Sequence, residues 1–184
     1  MRTLLAIALL AAAFPAAALD LPALFDALAK RKPVRAQFTE RKFMSLLDKP
    51  VESRGELSFT PPGRLEKRTV SPKPERVLVD RDRVTLERGG KAYSMGLREN
   101  PGVAVLVESI RATLAGDLDA LTRTYSAAVT GDAARWKLLL RPLDPSVSSL
   151  VERVEIGGSQ GEVKTVEIFQ VDGDRSVMTL QPGP

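Results

Sequence analysis

Residues 55–68 read GELSFTPPGRLEKR and contain two short strand patterns with a turn between them. Leu57 and Phe59 alternate with polar residues, which is the period of a strand with one apolar face. Pro61-Pro62-Gly63 predicts a turn, because proline and glycine interrupt regular strand pairing. Leu65 then continues the apolar face in the strand that follows. The stretch predicts an antiparallel hairpin whose apolar face covers either an ordinary core or a ligand.

The first eighteen residues have the features of a secretory signal peptide. Arg2 supplies a positive start, Leu4–Ala13 is an unbroken apolar run, and an A-x-A cleavage site ends at Ala18. The apolar run has about ten residues, half of what a membrane-spanning helix needs, so a retained anchor is the less favoured alternative. We therefore predict a signal peptide over residues 1–18, a single domain over residues 19–184, and export to a bacterial periplasm.

The rest of the chain predicts a mainly antiparallel sheet with two helical interruptions. Asp20 is placed to cap a helix over Leu21–Lys30, and apolar residues at helical spacing predict a second helix over Val103–Ala115 that Gly116 ends. We expect Asp117–Leu121 to add a further turn. Alternation predicts strands over residues 34–43, 55–59, 64–70, 76–79, 83–87, 91–95, 124–129, 136–140, 151–156, 163–171 and 177–180. A large twisted sheet of such strands tends to curl and must cover one apolar face, and the helices are the available cover.

The sequence lacks the residues that several kinds of catalytic and metal site require. The 184-residue chain has no His and no Cys, so it has no Ser-His or Cys-His nucleophile and no ordinary zinc site. Gly157–Gly161 matches the G-x-S-x-G pattern of hydrolases, but it lies between two predicted strands and has no base. Asp80, Asp82, Asp172 and Asp174 fall at predicted turns, where Asp is favoured for local hydrogen bonds, so no metal or cofactor is predicted.

Charge patterning argues against nucleic-acid binding. The formal net charge is +4, but acids and bases are interleaved, and aromatic residues make up only 5% of the chain. Glu40-Arg41-Lys42 and Glu66-Lys67-Arg68 are typical of solvated strand faces. An acidic headgroup or an acidic partner protein remains compatible with the small positive charge.

An ordered set of motifs carries a family resemblance. Residues 34–42 (VRAQFTERK) fit V-x-A-x-F-x-x-x-K, residues 55–59 fit G-x-L-x-F, and residues 62–65 supply the Pro-containing turn and Arg that follow. Residues 72–86 then follow the pattern P-x-x-E-x-x-V-x-D-G-x-x-x, with Asp82 where Gly or Asn is common. Together these motifs resemble the LolA-like periplasmic lipoprotein carriers over about residues 21–90, and the later elements agree in order and length.

The resemblance implies an α+β, mainly β fold: an incomplete curled antiparallel β-barrel with a helical lid over a hydrophobic cavity. It implies a monomeric, non-enzymatic carrier that takes acyl chains of lipoproteins from an inner-membrane donor complex to an outer-membrane receptor, with transient membrane contact. The residues implied for the lipid-binding cavity are Phe38, Leu57, Phe59, Leu65, Val77, Val79 and Leu86. Those implied for the lid are Val103, Leu106, Val107, Ile110 and Leu114. Any of them can equally be plain core.

Two departures from the family pattern concern the lid. The family often places before the turn proline an Arg that binds lid carbonyls, and here that position is Thr60 or Pro61. Arg64 matches a second family Arg and is the candidate lid contact, while Lys67 stands where an aromatic residue is usual. These substitutions suggest a divergent relative with another acylated cargo.

Three functions therefore remain open. A lipid carrier predicts a ligand-sized apolar cavity and bound lipid. A periplasmic sensor or protein-interaction module on the same fold predicts a filled core and a stable partner protein. An enzyme that uses the curved sheet as a scaffold predicts clustered carboxylates or tyrosine, and Tyr93 and Tyr125 are the only tyrosines.

Overall fold

A computed structural model of the chain describes residues 19–31 and 34–183, so the predicted signal peptide over residues 1–18 lies outside the described residues. The helices are α1 Leu21–Ala29, α2 Pro101–Ala115, α3 Leu118–Thr124 and α4 Pro145–Ser148, with a 3₁₀ turn at Leu97–Glu99. The strands are β1 Val34–Phe43, β2 Val51–Thr60, β3 Arg64–Ser71, β4 Glu75–Asp80, β5 Arg83–Arg88, β6 Lys91–Gly96, β7 Tyr125–Asp132, β8 Arg135–Pro142, β9 Val151–Ser159, β10 Glu162–Gln170 and β11 Arg175–Pro182.

All eleven strands form one curled antiparallel sheet that does not close. The order is β6-β5-β4-β3-β2-β1-β11-β10-β9-β8-β7, so two series of hairpins meet where β1 pairs with β11. In that central pair Phe38 lies opposite Leu180. Strands β6 and β7 form the two edges of the sheet. The predicted fold class, a curled open sheet with helices, is confirmed.

One face of the sheet, here called the inner face, is covered by the helices. On the β7–β10 side, α1 and α3 pack over Trp136, Leu138 and neighbouring buried side chains. On the β1–β5 side, α2 packs over a second cluster that contains Phe38 and Phe59. Helix α2 lies between the two clusters and contributes side chains to both.

The helix ends follow from capping residues. Asp20 accepts a hydrogen bond from the Ala23 amide at 2.8 Å and caps α1. Gly116 ends α2 in the left-handed conformation with φ of 70° and lies against Ala29 of α1, so a side chain there would meet both strain and backbone. The expected extra turn after Gly116 is instead a separate helix, α3, because Asp117 caps it through the Ala120 amide.

The opposite, outer face carries a ladder of alternating aromatic and cationic side chains. Phe43, Arg175, Phe169 and Arg153 lie opposite one another in register across β1, β11, β10 and β9. The Arg153 guanidinium lies 3.5 Å from the Phe169 ring centre, and that of Arg175 lies 4.8 Å from the Phe43 ring centre. These cation–π contacts join the two halves of the sheet.

Candidate functional site: the inner face and helix α2

The residues implied for the lipid cavity lie along the inner face of β1–β5. Phe38, Leu57, Phe59, Leu65 and Val79 are buried in the cluster beneath α2. Val77 and Leu86 lie opposite each other in register, nearer the sheet edge, and both are half-buried. The set therefore forms one apolar wall that is covered at one end and partly open at the other.

The residues implied for the lid divide between the two clusters. Val103, Val107, Ile110 and Leu114 pack against the cluster on the β1–β5 side. Leu106 packs against the cluster formed with α1 and α3. Helix α2 thus lies between the two halves of the inner face, and most of its apolar side chains are only partly buried.

Side chains fill the space directly beneath α2. The cavity there, whose lining includes Leu57, Ile110 and Leu180, has a volume of about 10 Å³. A second opening of about 260 Å³ shares Leu180 and has Arg31 and Arg35 in its lining. Ligand pockets usually have about 300–1,000 Å³, so a bound acyl chain would require α2 to shift away from the covered wall.

Arg111 joins α2 to two turns at the rim of the sheet. Its Nη1 donates to the Arg81 carbonyl oxygen at 3.0 Å, and its guanidinium packs on Gly63 so closely that a Cβ there would collide with it. Its Nε is buried without a hydrogen-bond partner among the described residues. Reasoning from sequence missed this contact, because helical spacing gives Arg111 no distinctive signal; the glycine in the turn was the only clue.

Tyr125 holds α2 from the other side. Its hydroxyl donates to the Val105 carbonyl oxygen at 3.1 Å, and burial raises the pKa of Tyr125 to about 12, so the group stays a protonated donor at neutral pH. Within α2 the buried Ser109 and Thr113 hydroxyls donate to helix carbonyls, which satisfies them without a ligand.

Arg64, the candidate lid contact, lies at the same rim as Arg111. Its Nη1 is 3.5 Å from the Asp80 carboxylate, and both side chains are half-exposed. At this rim an arginine does bind a carbonyl oxygen, but the arginine is Arg111 of helix α2 and the carbonyl belongs to the sheet side.

The inner face also carries a buried ion pair that the charge pattern concealed. Glu40 is only 6% exposed and binds Lys67 together with the Ser53 and Ser176 hydroxyls. The Lys67 ammonium also lies 4.9 Å from the Phe38 ring centre. The expectation that these charged residues form solvated faces is therefore wrong for Glu40 and Lys67, because their strand positions point towards the covered side.

The pKa of Glu40 reflects two opposing effects. Burial raises the pKa of this carboxyl, but the Lys67 charge and the hydrogen bonds from Lys67 and Ser176 outweigh burial, so the pKa lies below its usual value. Glu40 is therefore ionised at neutral pH and holds Lys67 and Ser176 at the side of the apolar wall.

The turns and glycines considered for other chemistry serve the fold. Gly157–Gly161 forms the end of β9 and the turn into β10, not a strand-to-helix elbow. Asp174 accepts hydrogen bonds from the Ser45 amide and hydroxyl, and Asp172 accepts one from the Asp174 amide. Across residues 19–31 and 34–183 no three metal-ligating side chains come together, and no helix there is long and apolar enough to cross a membrane.

Comparison with solved structures finds similar chains at low identity. A LolA superfamily protein from Nitrosomonas europaea is 10% identical, with 88% of this chain and 89% of that chain covered and a TM-score of 0.45. LprF from Mycobacterium bovis is 15% identical, with 89% and 91% covered and a TM-score of 0.40. An outer membrane lipoprotein-sorting protein domain from Vibrio parahaemolyticus is 8% identical, with 88% of each chain covered and a TM-score of 0.46.

Sequence comparison supplies the assignment. No curated protein matches the chain. A family model described as outer membrane lipoprotein carrier protein LolA-like matches residues 12–183, nearly the whole chain. The curled sheet, the helix across its inner face and this match agree: the chain belongs to the LolA-like family of outer membrane lipoprotein carrier proteins.

Proposed function

We propose that the protein is a periplasmic carrier that binds acyl chains of a lipoprotein, or of another acylated lipid, against the inner face beneath α2. The observation that carries the proposal is the apolar wall of β1–β5, which is covered by a single, partly buried helix instead of a second sheet. Burial of an acyl chain is worth about 0.8 kcal/mol per CH₂, so such a wall can compete with a bilayer once the helix moves aside.

Movement of α2 is the step that admits cargo in this proposal. Arg111 and Tyr125 attach the helix through one hydrogen bond each to a carbonyl oxygen. Hydrogen bonds of this kind contribute about 0.5–3 kcal/mol each. Burial of an arriving acyl chain can compensate for the loss of that stabilisation. The proposed lid is therefore α2, with Val103, Val107, Ile110 and Leu114 as the side chains that exchange wall contacts for cargo contacts.

Transfer between membranes requires an inner-membrane donor complex, an outer-membrane receptor and transient membrane contact. The loop between β1 and β2 offers a surface for such contact, because Leu46 is 94% exposed and Leu47 is 49% exposed. Lys42 and Lys49 lie on either side of them in the sequence, which suits an anionic membrane surface.

Lipid extraction tests the carrier function. The protein is produced from its full chain in a periplasm, purified without detergent, and extracted for mass spectrometry. We expect a stoichiometric acyl lipid in the wild type and its loss in Ile110→Glu, because a carboxylate would be buried against the acyl chain. Arg123→Glu, an exposed change on α3, is the matched control and should keep the lipid. A folded wild type that stays lipid-free after incubation with native membranes would refute the proposal.

The filled space beneath α2 favours a second candidate, a periplasmic sensor or protein-interaction module without lipid transfer. A cavity of about 10 Å³ is what a permanently closed helix would leave. On this alternative, the protein carries no lipid but retains one stable partner protein, and Ile110→Glu leaves that partnership intact. The same purification therefore separates the two functions.

A further inference from the structure

A groove with an excess of positive charge lies between the tips of the β3–β4 and β5–β6 hairpins. Its volume is about 1300 Å³, and we call it the basic groove after its cations Arg68, Lys73, Arg76, Arg88 and Lys91. Glu75 and Glu87 are the acids in its lining. The cations outnumber the acids, so the groove has a net positive charge.

Three of these cations are available to a ligand. Arg76 binds Glu66 at 2.8 Å and Glu87 at 2.9 Å, so its charge is already balanced. Lys73, Arg88 and Lys91 are exposed and make no ion pair within 4.0 Å in the part of the chain that the structure describes.

Directly beside the basic groove, the inner face is apolar and uncovered. In register, Leu86 lies between Val77 and Tyr93, and Val84 lies between Val79 and Met95. Tyr93 is 52% exposed and Met95 is 37% exposed. We call the four side chains Val77, Leu86, Tyr93 and Met95 the apolar shelf.

The apolar shelf connects the basic groove with the wall beneath α2. Val79 lies opposite Leu65, and Leu65 lies opposite Phe59, so the apolar rows continue without a break into the buried cluster. In the other direction, the next register row places Arg88 opposite both Glu75 and Lys91. Arg88 and Lys91 are each two residues along their strands from Leu86 and Tyr93. Two residues of a strand span about 6.6 Å, so these cations lie directly beyond the apolar shelf.

We infer that the apolar shelf and the basic groove together bind an amphiphile with an anionic headgroup. The inference rests on the proposed acyl-binding function and adds the class of cargo: an acylated lipid that carries a phosphate or a carboxylate. Its chain would lie on the apolar shelf and extend towards Phe59, while its anion would bind Arg88, Lys91 and Lys73. Arg88 offers the paired N–H donors that suit phosphate and carboxylate oxygens.

Binding of two lysolipids with the same acyl chain tests the headgroup preference. Lysophosphatidylglycerol carries a net negative charge and lysophosphatidylcholine carries none, so their affinities, measured below the micellar concentration, differ only through the headgroup. We expect the wild type to bind the phosphatidylglycerol form about tenfold more tightly, since two or three exposed ion pairs contribute roughly 1–2 kcal/mol in total. The preference should weaken as salt is raised.

Two double variants with the same change in charge locate the effect. R88E/K91E should abolish the preference while affinity for lysophosphatidylcholine stays within about twofold, because the apolar shelf is intact. R123E/R135E changes exposed arginines outside the groove and should leave the preference unchanged. Tyr93→Glu, on the apolar shelf itself, should weaken both lipids.

The outcomes separate this inference from the proposed function. Equal affinity of the wild type for the two lysolipids, or an unchanged preference in R88E/K91E, would overturn the headgroup inference and leave acyl binding in place. Failure of the wild type to bind either lysolipid would overturn both. Far-UV circular dichroism of each variant establishes that the fold is retained.

Discussion

Arg111 and Gly63 meet where α2 reaches the rim of the sheet, and their contact can be tested by substitution from both sides. Gly63→Ala places a Cβ against the Arg111 guanidinium. We expect a loss of about 1–3 kcal/mol in the free energy of unfolding, the usual cost of overpacking. In an Arg111→Ala background the same change should cost less than half as much. Urea denaturation of the two single variants and the double variant measures the coupling.

A glycine elsewhere on the molecule serves as the control for this comparison of single and double variants. Gly102 lies in the first turn of α2, and a Cβ there would meet only the end of the Leu150 side chain and Asn100 Oδ1, both at ordinary contact distance. Gly102→Ala should be additive with Arg111→Ala. Additive effects for Gly63→Ala as well would contradict a direct contact between Gly63 and Arg111.

Glu40 predicts a defined pH dependence of stability. Because its pKa in the folded protein is held below the ordinary value of 4.5, the ionised pair stabilises the fold above that pH, and this contribution is lost as pH falls through the folded pKa. We expect Glu40→Gln to cost about 2 kcal/mol at pH 7, less than for a fully buried pair because Lys67 is partly exposed. The difference from wild type should shrink below about pH 4.5.

An exposed carboxylate provides the comparison for Glu40. Glu52 pairs with Arg54 on the surface, where an ion pair contributes about 0.2–1 kcal/mol. Denaturation of wild type, Glu40→Gln and Glu52→Gln between pH 7 and pH 3 should show a large, pH-dependent difference only for Glu40. A constant difference for Glu40→Gln across this range would argue against an ionised pair.

Among the elements, the β1–β2 loop is the one for which we predict membrane contact. Leu46 and Leu47 are held outward because the Ser45 amide and hydroxyl bind Asp174 in the neighbouring turn. Each leucine that enters a bilayer gains about 1.5–3 kcal/mol. We expect L46E/L47E to lower affinity for vesicles that contain phosphatidylglycerol at least about tenfold, as vesicle sedimentation would show.

Exposed leucines at another turn test whether that effect is local. Leu143 and Leu150 are 55% and 58% exposed and flank α4. L143E/L150E should leave vesicle binding near the wild-type value. Equal losses in the two double variants would mean that general surface hydrophobicity, and not the β1–β2 loop, carries the contact.

Most elements could be predicted from the sequence because their signals are local. Alternation marks the strands, and Asp20 and Gly116 mark helix ends that the structure places at Leu21 and Ala115. The first residues of β2 have no such signal, because the exposed Val51 pairs with Lys42 through the backbone and adds no apolar alternation. Backbone pairing of polar residues leaves no mark in a hydrophobicity pattern.

At the candidate site, the apolar residues were predictable and their polar contacts were not. Phe38, Leu57 and Phe59 lie where alternation places them, on one face of the sheet. Most partners of Arg111, Glu40 and Tyr125 are 20 or more residues away in sequence, so only the assembled sheet brings them together. The exceptions are Ser53 beside Glu40 and Glu108, whose carboxylate lies 3.9 Å from Arg111. Which apolar residues an acyl chain would contact also depends on whether α2 moves, and periodicity carries no information on that movement.

In the whole molecule, β11 is one of the two strands at the junction of the sheet. It pairs with β1 on one side and β10 on the other, and so joins the two hairpin series into one sheet. We expect a chain that ends at residue 174 to lose cooperative unfolding, because each remaining half would expose an apolar inner face. Circular dichroism during urea denaturation would show a broad transition of low amplitude.

A shorter truncation is the control for the loss of β11. Removal of residues 183 and 184 leaves β11 intact and removes the hydrogen bond from the Gly183 amide to the Arg35 carbonyl oxygen. The transition should stay cooperative, with a loss of about 1 kcal/mol. A cooperative transition in the chain that ends at residue 174 would instead mean that the halves fold independently.

The central position of β11 also bears on how the protein reaches its folded state. The hairpins from β1 to β6 join neighbours in sequence and can pair as soon as they emerge, but the free side of β1 has to wait for the final strand of the chain. Until β11 pairs with β1, that unpaired backbone and its apolar neighbours are open to aggregation. A newly made molecule therefore depends on rapid docking of β11, or on a chaperone that shields β1 in the interval.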